Sequence, residues 1–146
     1  MNYFLCIIYV KEYIMSEYNK HNKVVFLTQY HFIWTSKYRR KILTDEVKNR
    51  LEQIIKDVAC ETQADIKAME VMPDHVHLFA SLHYKLAPYK FIKLIKGRSS
   101  NFLRKEFPSV KTRLPTLWSR SFFVASVGSL SEDSVKEYIE TQWERK

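Results

Sequence analysis

The sequence is poor in the residues that interrupt regular structure, since its 146 residues include only two glycines and four prolines. This scarcity excludes a collagen-like, linker-rich or low-complexity chain, and we find no internal repeat. Cys6 and Cys60 are too few for a disulfide framework and lack the spacing of metal ligands, so a reducing cytoplasm is the expected compartment. With 46% hydrophobic and 27% charged residues, the composition is typical of one globular domain.

A long hydrophobic run is also missing from the sequence. Residues 1–15 are apolar and aromatic, but this run is shorter than the roughly 20 residues that a membrane span needs. No small-residue cleavage site follows it, which disfavours a secretory signal. We therefore expect no membrane association. We predict an N-terminal extension at residues 1–22, to which we assign no function, and a single domain at residues 23–146.

The positive charge of the chain is concentrated in one stretch. Between Lys85 and Arg120 there are ten basic residues and one acidic residue, a net charge of +9 in a chain whose total is +8. A second basic cluster is formed by Lys37, Arg39, Arg40 and Lys41. Charge concentrated in this way favours a polyanionic partner, bound in a salt-sensitive manner through counterion release. A solvated basic surface without a partner is the alternative.

Hydrophobic periodicity predicts the element order β-α-β-β-α-β-α, in which the first six elements match a ferredoxin-like (RRM-like) α+β fold. In that fold an antiparallel sheet carries its helices on one face, and here a C-terminal helix follows. The other face of the sheet would be open to a ligand. The predicted elements are a strand at 24–35, a helix capped by Thr44 with the buried stripe Val47, Leu51, Ile54, Ile55 and Val58, strands at 65–71 and 75–82, a helix from Pro88 to about Phe107, a strand at 118–127, and a helix that contains Val135 to Trp143.

The third predicted strand begins with two histidines, His75 and His77, separated by Val76. Side chains alternate along a strand, so both imidazoles share a face, and their spacing allows them to converge on one divalent ion. The residues between and after them, Val76, Leu78, Ala80 and Leu82, are apolar and are predicted to pack on the helices. The histidines are then expected on the open face. A pair with this spacing also occurs by chance, and a half-exposed strand histidine is ordinary.

In the last predicted helix, Tyr138 and Gln142 are four residues apart and therefore share a face. A tyrosine hydroxyl can attack a phosphodiester, although its unperturbed pKa of about 10 means that it needs help from a nearby cation. The alternative is an amphipathic tyrosine packed on the sheet, which is a common arrangement. We expect His31 and His83 to be structural or surface residues.

Five segments, in order, resemble the HUH single-tyrosine transposases of small bacterial and archaeal insertion sequences, the TnpA type. The resemblance covers roughly residues 24–142. It is carried by Met72–Leu78 (Met-Pro-Asp-His-Val-His-Leu), by Tyr30–Lys41, by Ile95–Ser100, by Leu117–Gly128 and by Tyr138–Gln142.

The resemblance implies a metal-dependent enzyme that cuts and rejoins single-stranded DNA at the ends of an insertion sequence. Tyr138 would be the nucleophile and would become a 5′-phosphotyrosine, while His75, His77 and Gln142 would bind Mg²⁺ or Mn²⁺. The enzyme would act as a homodimer, with possible completion of one active site by the other subunit's tyrosine. It would associate with the nucleoid through DNA, whose hairpins near the transposon ends would meet the basic residues Lys37, Arg39, Arg40, Lys96, Arg98 and Arg104.

Three other functions stay open at this point. A related HUH enzyme, such as a repeat-associated tyrosine transposase or a replication-initiator nuclease, would share the chemistry. A binding module could take up RNA on strand aromatics, although the third strand lacks the glycine and aromatic pattern of an RRM. A metal hydrolase would use the two histidines with water as the nucleophile.

Overall fold

The computed structural model describes residues 19–21 and 23–127 of the chain. The predicted C-terminal helix, with Tyr138 and Gln142, lies outside these residues. The described elements are β1 (Asn19–His21), β2 (Val24–Phe26), β3 (Gln29–Thr35), a short 3-10 helix (Lys37–Arg39), α1 (Asp45–Glu61), β4 (Asp65–Val71), β5 (His75–Ser81), α2 (Pro88–Glu106), α3 (Pro108–Arg113) and β6 (Phe123–Val127).

The main sheet has four strands in the order β4-β5-β3-β6, and each neighbouring pair is antiparallel. The predicted hairpin between β4 and β5 forms because only three residues separate the strands, and the Met72 N–H donates to the His75 carbonyl at 2.8 Å. Together with α1 and α2, this strand order confirms the predicted α+β, ferredoxin-like fold.

The two faces of the sheet bury different sets of side chains. Every member of the predicted α1 stripe is buried and packs in one apolar cluster with Phe91, Ile92 and Ile95 of α2. Alternate residues of β5, namely Val76, Leu78 and Ala80, belong to this cluster, as the alternation predicts. Phe79 points to the opposite face, where it packs with Val127 and Ala68. The helices therefore cover the face that is turned away from His75 and His77. None of the described helices is both long enough and apolar enough to cross a membrane.

The first predicted strand, 24–35, is wrong as one continuous element. It divides at Leu27 and Thr28 into β2, which pairs with β1, and β3, which enters the main sheet. Thr28, at this division, is bonded to Leu82 just beyond the last β3–β5 pair. The Thr28 carbonyl accepts from the Leu82 N–H at 2.8 Å, and the Thr28 hydroxyl donates to the Leu82 carbonyl. Residues 19–21, inside the predicted N-terminal extension, thus form a strand.

The last predicted strand begins too early, because β6 starts at Phe123 and Trp118 makes only an isolated bridge to Ser36. The ammonium group of Lys96 explains the interruption. Its Nζ donates to the carbonyl of Ser119 at 2.7 Å and to that of Ser121 at 3.3 Å, which turns these carbonyls toward α2 and away from a ladder.

Two smaller differences concern helix starts. Thr44 precedes α1 as predicted, but its side chain makes no capping hydrogen bond, and Asp45 has a φ of 50°. The first turn is held by the Thr44 carbonyl, which accepts from Val47 at 3.1 Å. The stretch after α2, predicted to be irregular, contains α3, which Pro108 starts with a preset φ and the buried Val110 anchors.

A buried polar contact fixes Trp118 against α2 and leads to a stability prediction. The Trp118 indole N–H donates to the Ser99 hydroxyl at 2.9 Å, and Ser99 is fully buried. The substitution Ser99→Ala leaves this buried N–H without its acceptor, so we expect a loss of about 1–3 kcal/mol in the free energy of unfolding. Urea denaturation measures it, with Ser100→Ala on the same helix as the control. Equal stability of the two variants would contradict the role of the contact.

Candidate active site

His75 and His77 lie at the start of β5, in the middle of the sheet. Their ring centroids are 5.0 Å apart and their planes are inclined by 76°, so the two rings converge without stacking. Across the strands, Thr35 is opposite His75, while His77 is flanked by Ile33 of β3 and Glu70 of β4. The predicted pair is therefore placed on one face, as the alternation requires.

The His75 ring is oriented by the carboxylate that precedes it. His75 Nδ1 lies 2.5 Å from Asp74 Oδ1, and Asp74 Oδ2 lies 3.3 Å from Arg39 Nε. Burial acts to raise the pKa of Asp74, but the hydrogen bond from His75 and the charges of His75 and Arg39 together hold it below its usual value. An ionised carboxylate only accepts hydrogen bonds, so the proton is on Nδ1. In the neutral ring, Nε2 then carries the lone pair that a metal needs.

The His77 ring meets a third imidazole, that of His31 on β3. His77 Nδ1 lies 3.4 Å from His31 Nε2, and the ring planes differ by 14° with centroids 5.6 Å apart. The ring planes are nearly parallel, but the centroids are too far apart for the rings to overlap face to face. The short contact between the two nitrogens therefore joins the edges of the rings, as in a hydrogen bond. His31 is therefore part of the site. Of the two expected positions, structural or surface, the structure gives the first, since the exposure of His31 is 4%.

The His77 side chain is buried, with an exposure of 3%, so it is not open to solvent as the prediction of an open face implied. The His31 and His75 rings are among its neighbours. Burial, with smaller effects of the charges on His75 and then His31, lowers the pKa of His77 to about 4. Burial also lowers the pKa of His31. His77 is thus neutral at physiological pH, the state in which imidazole binds metals.

The chemistry of this donor set fits a divalent metal ion. Two imidazoles converge, and the Nδ1 atom of each ring has a partner that orients it, which is the usual environment of metal-binding histidines. Within residues 19–21 and 23–127, no further His, Cys, Asp or Glu joins the pair to make a group of three ligands. The predicted third ligand, Gln142, and the predicted nucleophile, Tyr138, lie outside the described residues.

The predicted basic turn lies beside the histidines. The Ser36 N–H donates to the Asp74 carbonyl at 3.0 Å, and the Leu43 N–H donates to the Pro73 carbonyl at 2.9 Å. These bonds fasten the turn to the residues that precede His75. Tyr38 and Arg39 have φ values of 56° and 52°, a conformation that is costly for residues with side chains. The turn thereby places exposed basic side chains next to the site.

Comparison with known proteins shows to which family the chain belongs. The family model described as transposase IS200 like matches residues 24–142, which is most of the chain. The chain belongs to this family. The transposase is 34% identical to the ISDra2 transposase TnpA of Deinococcus radiodurans over 131 residues, 88% of this chain and 94% of that one. It is also 26% identical to the IS200 transposase of Salmonella typhimurium over 118 residues, 80% of this chain and 77% of that one.

Two solved structures resemble the transposase. A crystal structure of a Deinococcus radiodurans R1 protein that is named as a transposase superposes with a TM-score of 0.70 at 34% identity, covering 85% of this chain and 97% of the other. A REP-associated tyrosine transposase bound to a REP hairpin superposes with a TM-score of 0.59 at 16% identity, covering 87% and 74%. The second likeness concerns the fold alone. Membership of the family makes the chain a DNA-cleaving enzyme.

The three basic residues predicted on α2 of the transposase have partners within the chain. Lys96 donates to the Ser119 carbonyl, and burial lowers its pKa. Arg98 forms an ion pair with Glu61 at 2.8 Å, and Arg104 donates to the Leu114 carbonyl at 2.8 Å. Through these contacts the three residues help to hold the fold together, which the sequence did not reveal. Contact of Lys96, Arg98 and Arg104 with DNA stays a prediction, and the α2 group lies in the helical layer, away from the histidines.

The low pKa of His77 makes the stability of the transposase depend on pH. The unfolded state binds the proton below the ordinary pKa of 6.5, whereas the folded state binds it only near 4. The free energy of unfolding is therefore highest above about pH 6.5, and it decreases by roughly 3 kcal/mol as the pH falls toward 4. Urea denaturation in EDTA at several pH values measures this. The variant His77→Phe should lack this component, and an unchanged pH profile in the variant would contradict the assignment.

Proposed function

We propose that the transposase cleaves and rejoins single-stranded DNA through a covalent bond between Tyr138 and a 5′-phosphate, with Mg²⁺ or Mn²⁺ bound by His75, His77 and Gln142. The observation that carries the proposal is the pair of convergent imidazoles, each held through Nδ1 by a neighbour. The family match extends to residue 142 and so includes both Tyr138 and Gln142.

A bound divalent ion would polarise the scissile phosphate and stabilise the charge that develops on the leaving oxygen. His75 and His77 would bind it as neutral ligands. Gln142 would add an amide oxygen, the kind of ligand that Mg²⁺ prefers, and phosphate oxygens and water suit the remaining positions. Lys37, Arg39 and Arg40 would hold the DNA phosphates beside the histidines.

The covalent step conserves the energy of the phosphodiester. The Tyr138 phenolic oxygen forms a bond to phosphorus after losing its proton, and the bond from phosphorus to the 3′-oxygen breaks, so that the 3′-oxygen takes up a proton. A different 3′-hydroxyl then attacks the phosphotyrosine and releases Tyr138. The exchange of one ester for another needs no ATP, and the sequence has no P-loop motif.

The presence of one nucleophile per chain leads to a proposal about assembly. A transposon has two ends, and one tyrosine holds one 5′-phosphate at a time, so two chains would act together as a homodimer. The tyrosine of one subunit could complete the metal site of the other. The substrate would carry hairpins near the transposon ends, and one structural relative is itself bound to a REP hairpin.

His31 and Asp74 would be positioning residues in this reaction, because each contacts the Nδ1 atom of a metal-binding ring. The substitution His31→Leu removes the partner of His77, and we expect the affinity for Mn²⁺ to fall roughly tenfold to 100-fold. His31→Gln keeps a side-chain oxygen that accepts the same hydrogen bond, so it should restore most of the affinity. Electron paramagnetic resonance of Mn²⁺ reports the binding without any need for activity. Equal affinities of wild type and His31→Leu would remove His31 from the site.

The test of the proposed function is incubation of the transposase with end-labelled single-stranded DNA and Mn²⁺, followed by denaturing electrophoresis. We expect a slowly migrating protein–DNA product that EDTA abolishes. A protein that only binds nucleic acid would leave the DNA intact. A hydrolase that uses water would release free 5′-phosphate ends and form no covalent product, and either of these results would overturn the proposal.

A further inference from the structure

Gly97 lies in the middle of α2, where glycine needs an explanation. Glycine destabilises a helix interior relative to alanine, because it has more conformational freedom to lose. Gly97 does not have a positive φ, so the backbone does not require it. A Cβ atom added at Gly97 would meet nothing within 4 Å in the part of the chain that the structure describes, so packing does not require it either. The absence of a side chain therefore leaves room for another molecule to lie close to the helix at this position.

Three surface depressions meet at Gly97, and we call them together the Gly97 groove. The groove follows the exposed side of α2 and continues toward α3 on one side and the 116–122 segment on the other. Among the described residues that line it, none is acidic. Its basic side chains include Lys90, Lys93, Arg104, Lys105, Lys111 and Arg120. A groove with this charge is complementary to a polyanion.

Apolar and aromatic groups are interspersed among these charges. Tyr89 is 57% exposed and Phe102 is 38% exposed, although both are large hydrophobic residues. The Lys93 ammonium lies 5.6 Å from the centroid of the Tyr89 ring. Lysine and arginine that alternate with accessible aromatic rings are typical of surfaces that hold a nucleic acid strand, because the rings contact bases or sugars while the cations contact phosphates.

We propose that the Gly97 groove binds the DNA backbone, and that position 97 lacks a side chain so that the backbone can lie directly against α2. The proposal depends on the transposase acting on DNA, but not on the assignment of Tyr138 or of the metal ligands. α2 packs on the face of the sheet opposite His75 and His77. The groove would therefore hold a different part of the DNA from the phosphate that is cut, and would anchor the substrate while the cleaved strand reaches the histidines.

The test uses variants whose effects on stability and on binding have opposite signs. In Gly97→Ala the helix gains a better helix former, so the midpoint of thermal unfolding should rise by about 4 °C. Its affinity for a fluorescein-labelled DNA hairpin with a single-stranded tail, measured by anisotropy in EDTA, should nevertheless fall several-fold. Gly97→Gln, with a larger neutral side chain, should lose roughly tenfold or more. Asn49→Ala on the exposed side of α1 is the control, and should gain stability while its DNA affinity stays unchanged.

Lys93→Gln adds a second measurement, because loss of one phosphate contact should reduce the slope of log affinity against log salt by about one. If Gly97→Gln binds the hairpin as tightly as Asn49→Ala does, the groove does not hold DNA. If Gly97→Gln instead changes the sedimentation mass and leaves DNA affinity intact, the groove is covered by a second copy of the chain and the proposal is wrong. These binding measurements need no metal, so their failure is distinct from a failure to form the Tyr138 product.

Discussion

The variant Tyr138→Phe is expected to lose cleavage by roughly 10³-fold or more and to form no covalent product with DNA. Phenylalanine keeps the ring but removes the oxygen that would bond to phosphorus, so the effect falls on the chemical step. The affinity for DNA should change little, because phosphate contacts proposed for the basic residues would supply it. End-labelled single-stranded DNA with Mn²⁺ measures the rate, and anisotropy measures the affinity.

Tyr84→Phe is the matched control, since Tyr84 stacks on His83 at the far end of β5 and has no proposed part in the reaction. This variant should cleave at the wild-type rate. Cleavage by Tyr138→Phe at that same rate would show that another group is the nucleophile. Slow cleavage that leaves free 5′-phosphate ends would instead point to water as the attacking group.

The second large effect is expected at the proposed metal ligands, His75 and His77. His75→Ala and His77→Ala each remove one of two convergent imidazoles, so Mn²⁺ affinity should fall strongly and cleavage should fall by roughly 10³-fold. The affinity for DNA in EDTA should be largely preserved. Electron paramagnetic resonance titration with Mn²⁺ and the cleavage assay measure the two losses on the same samples.

His83→Ala is the control for these variants, because the His83 ring stacks on Tyr84 and meets the His21 ring edge to face, away from the histidine pair. It should keep both metal affinity and activity. His77 is buried, and its replacement by alanine also costs stability, so His75→Ala, at a ring that is 15% exposed, is the cleaner measurement. Full Mn²⁺ affinity in His75→Ala would contradict the proposed metal site.

The faces of the elements could be predicted from the sequence because periodicity is local. The α1 stripe recurs every three or four residues, and the β5 residues alternate, so both buried sets were predicted correctly. The placement of His75 and His77 on one face follows from the same alternation. Nothing beyond residue spacing was needed for these features.

Other features depend on contacts between distant parts of the chain. Cross-strand register places His31 opposite Phe79, which makes His77 its diagonal neighbour, and no local pattern in β3 contains that information. The sequence did offer one signal for the role of His31. It lies on the strand that the predicted fold places beside the strand with His75 and His77. In the same way, the shortened β6 results from Lys96, which is more than twenty residues away from the carbonyls it binds.

The most direct test of the central claim is to locate the protein–DNA bond itself. The transposase is incubated with Mn²⁺ and an oligonucleotide that traps the covalent product, the product is digested with protease and nuclease, and the peptides are sequenced by tandem mass spectrometry. We predict a nucleotide attached through a 5′-phosphate to Tyr138. Attachment to a different residue, or cleaved DNA without any modified peptide, would contradict the account.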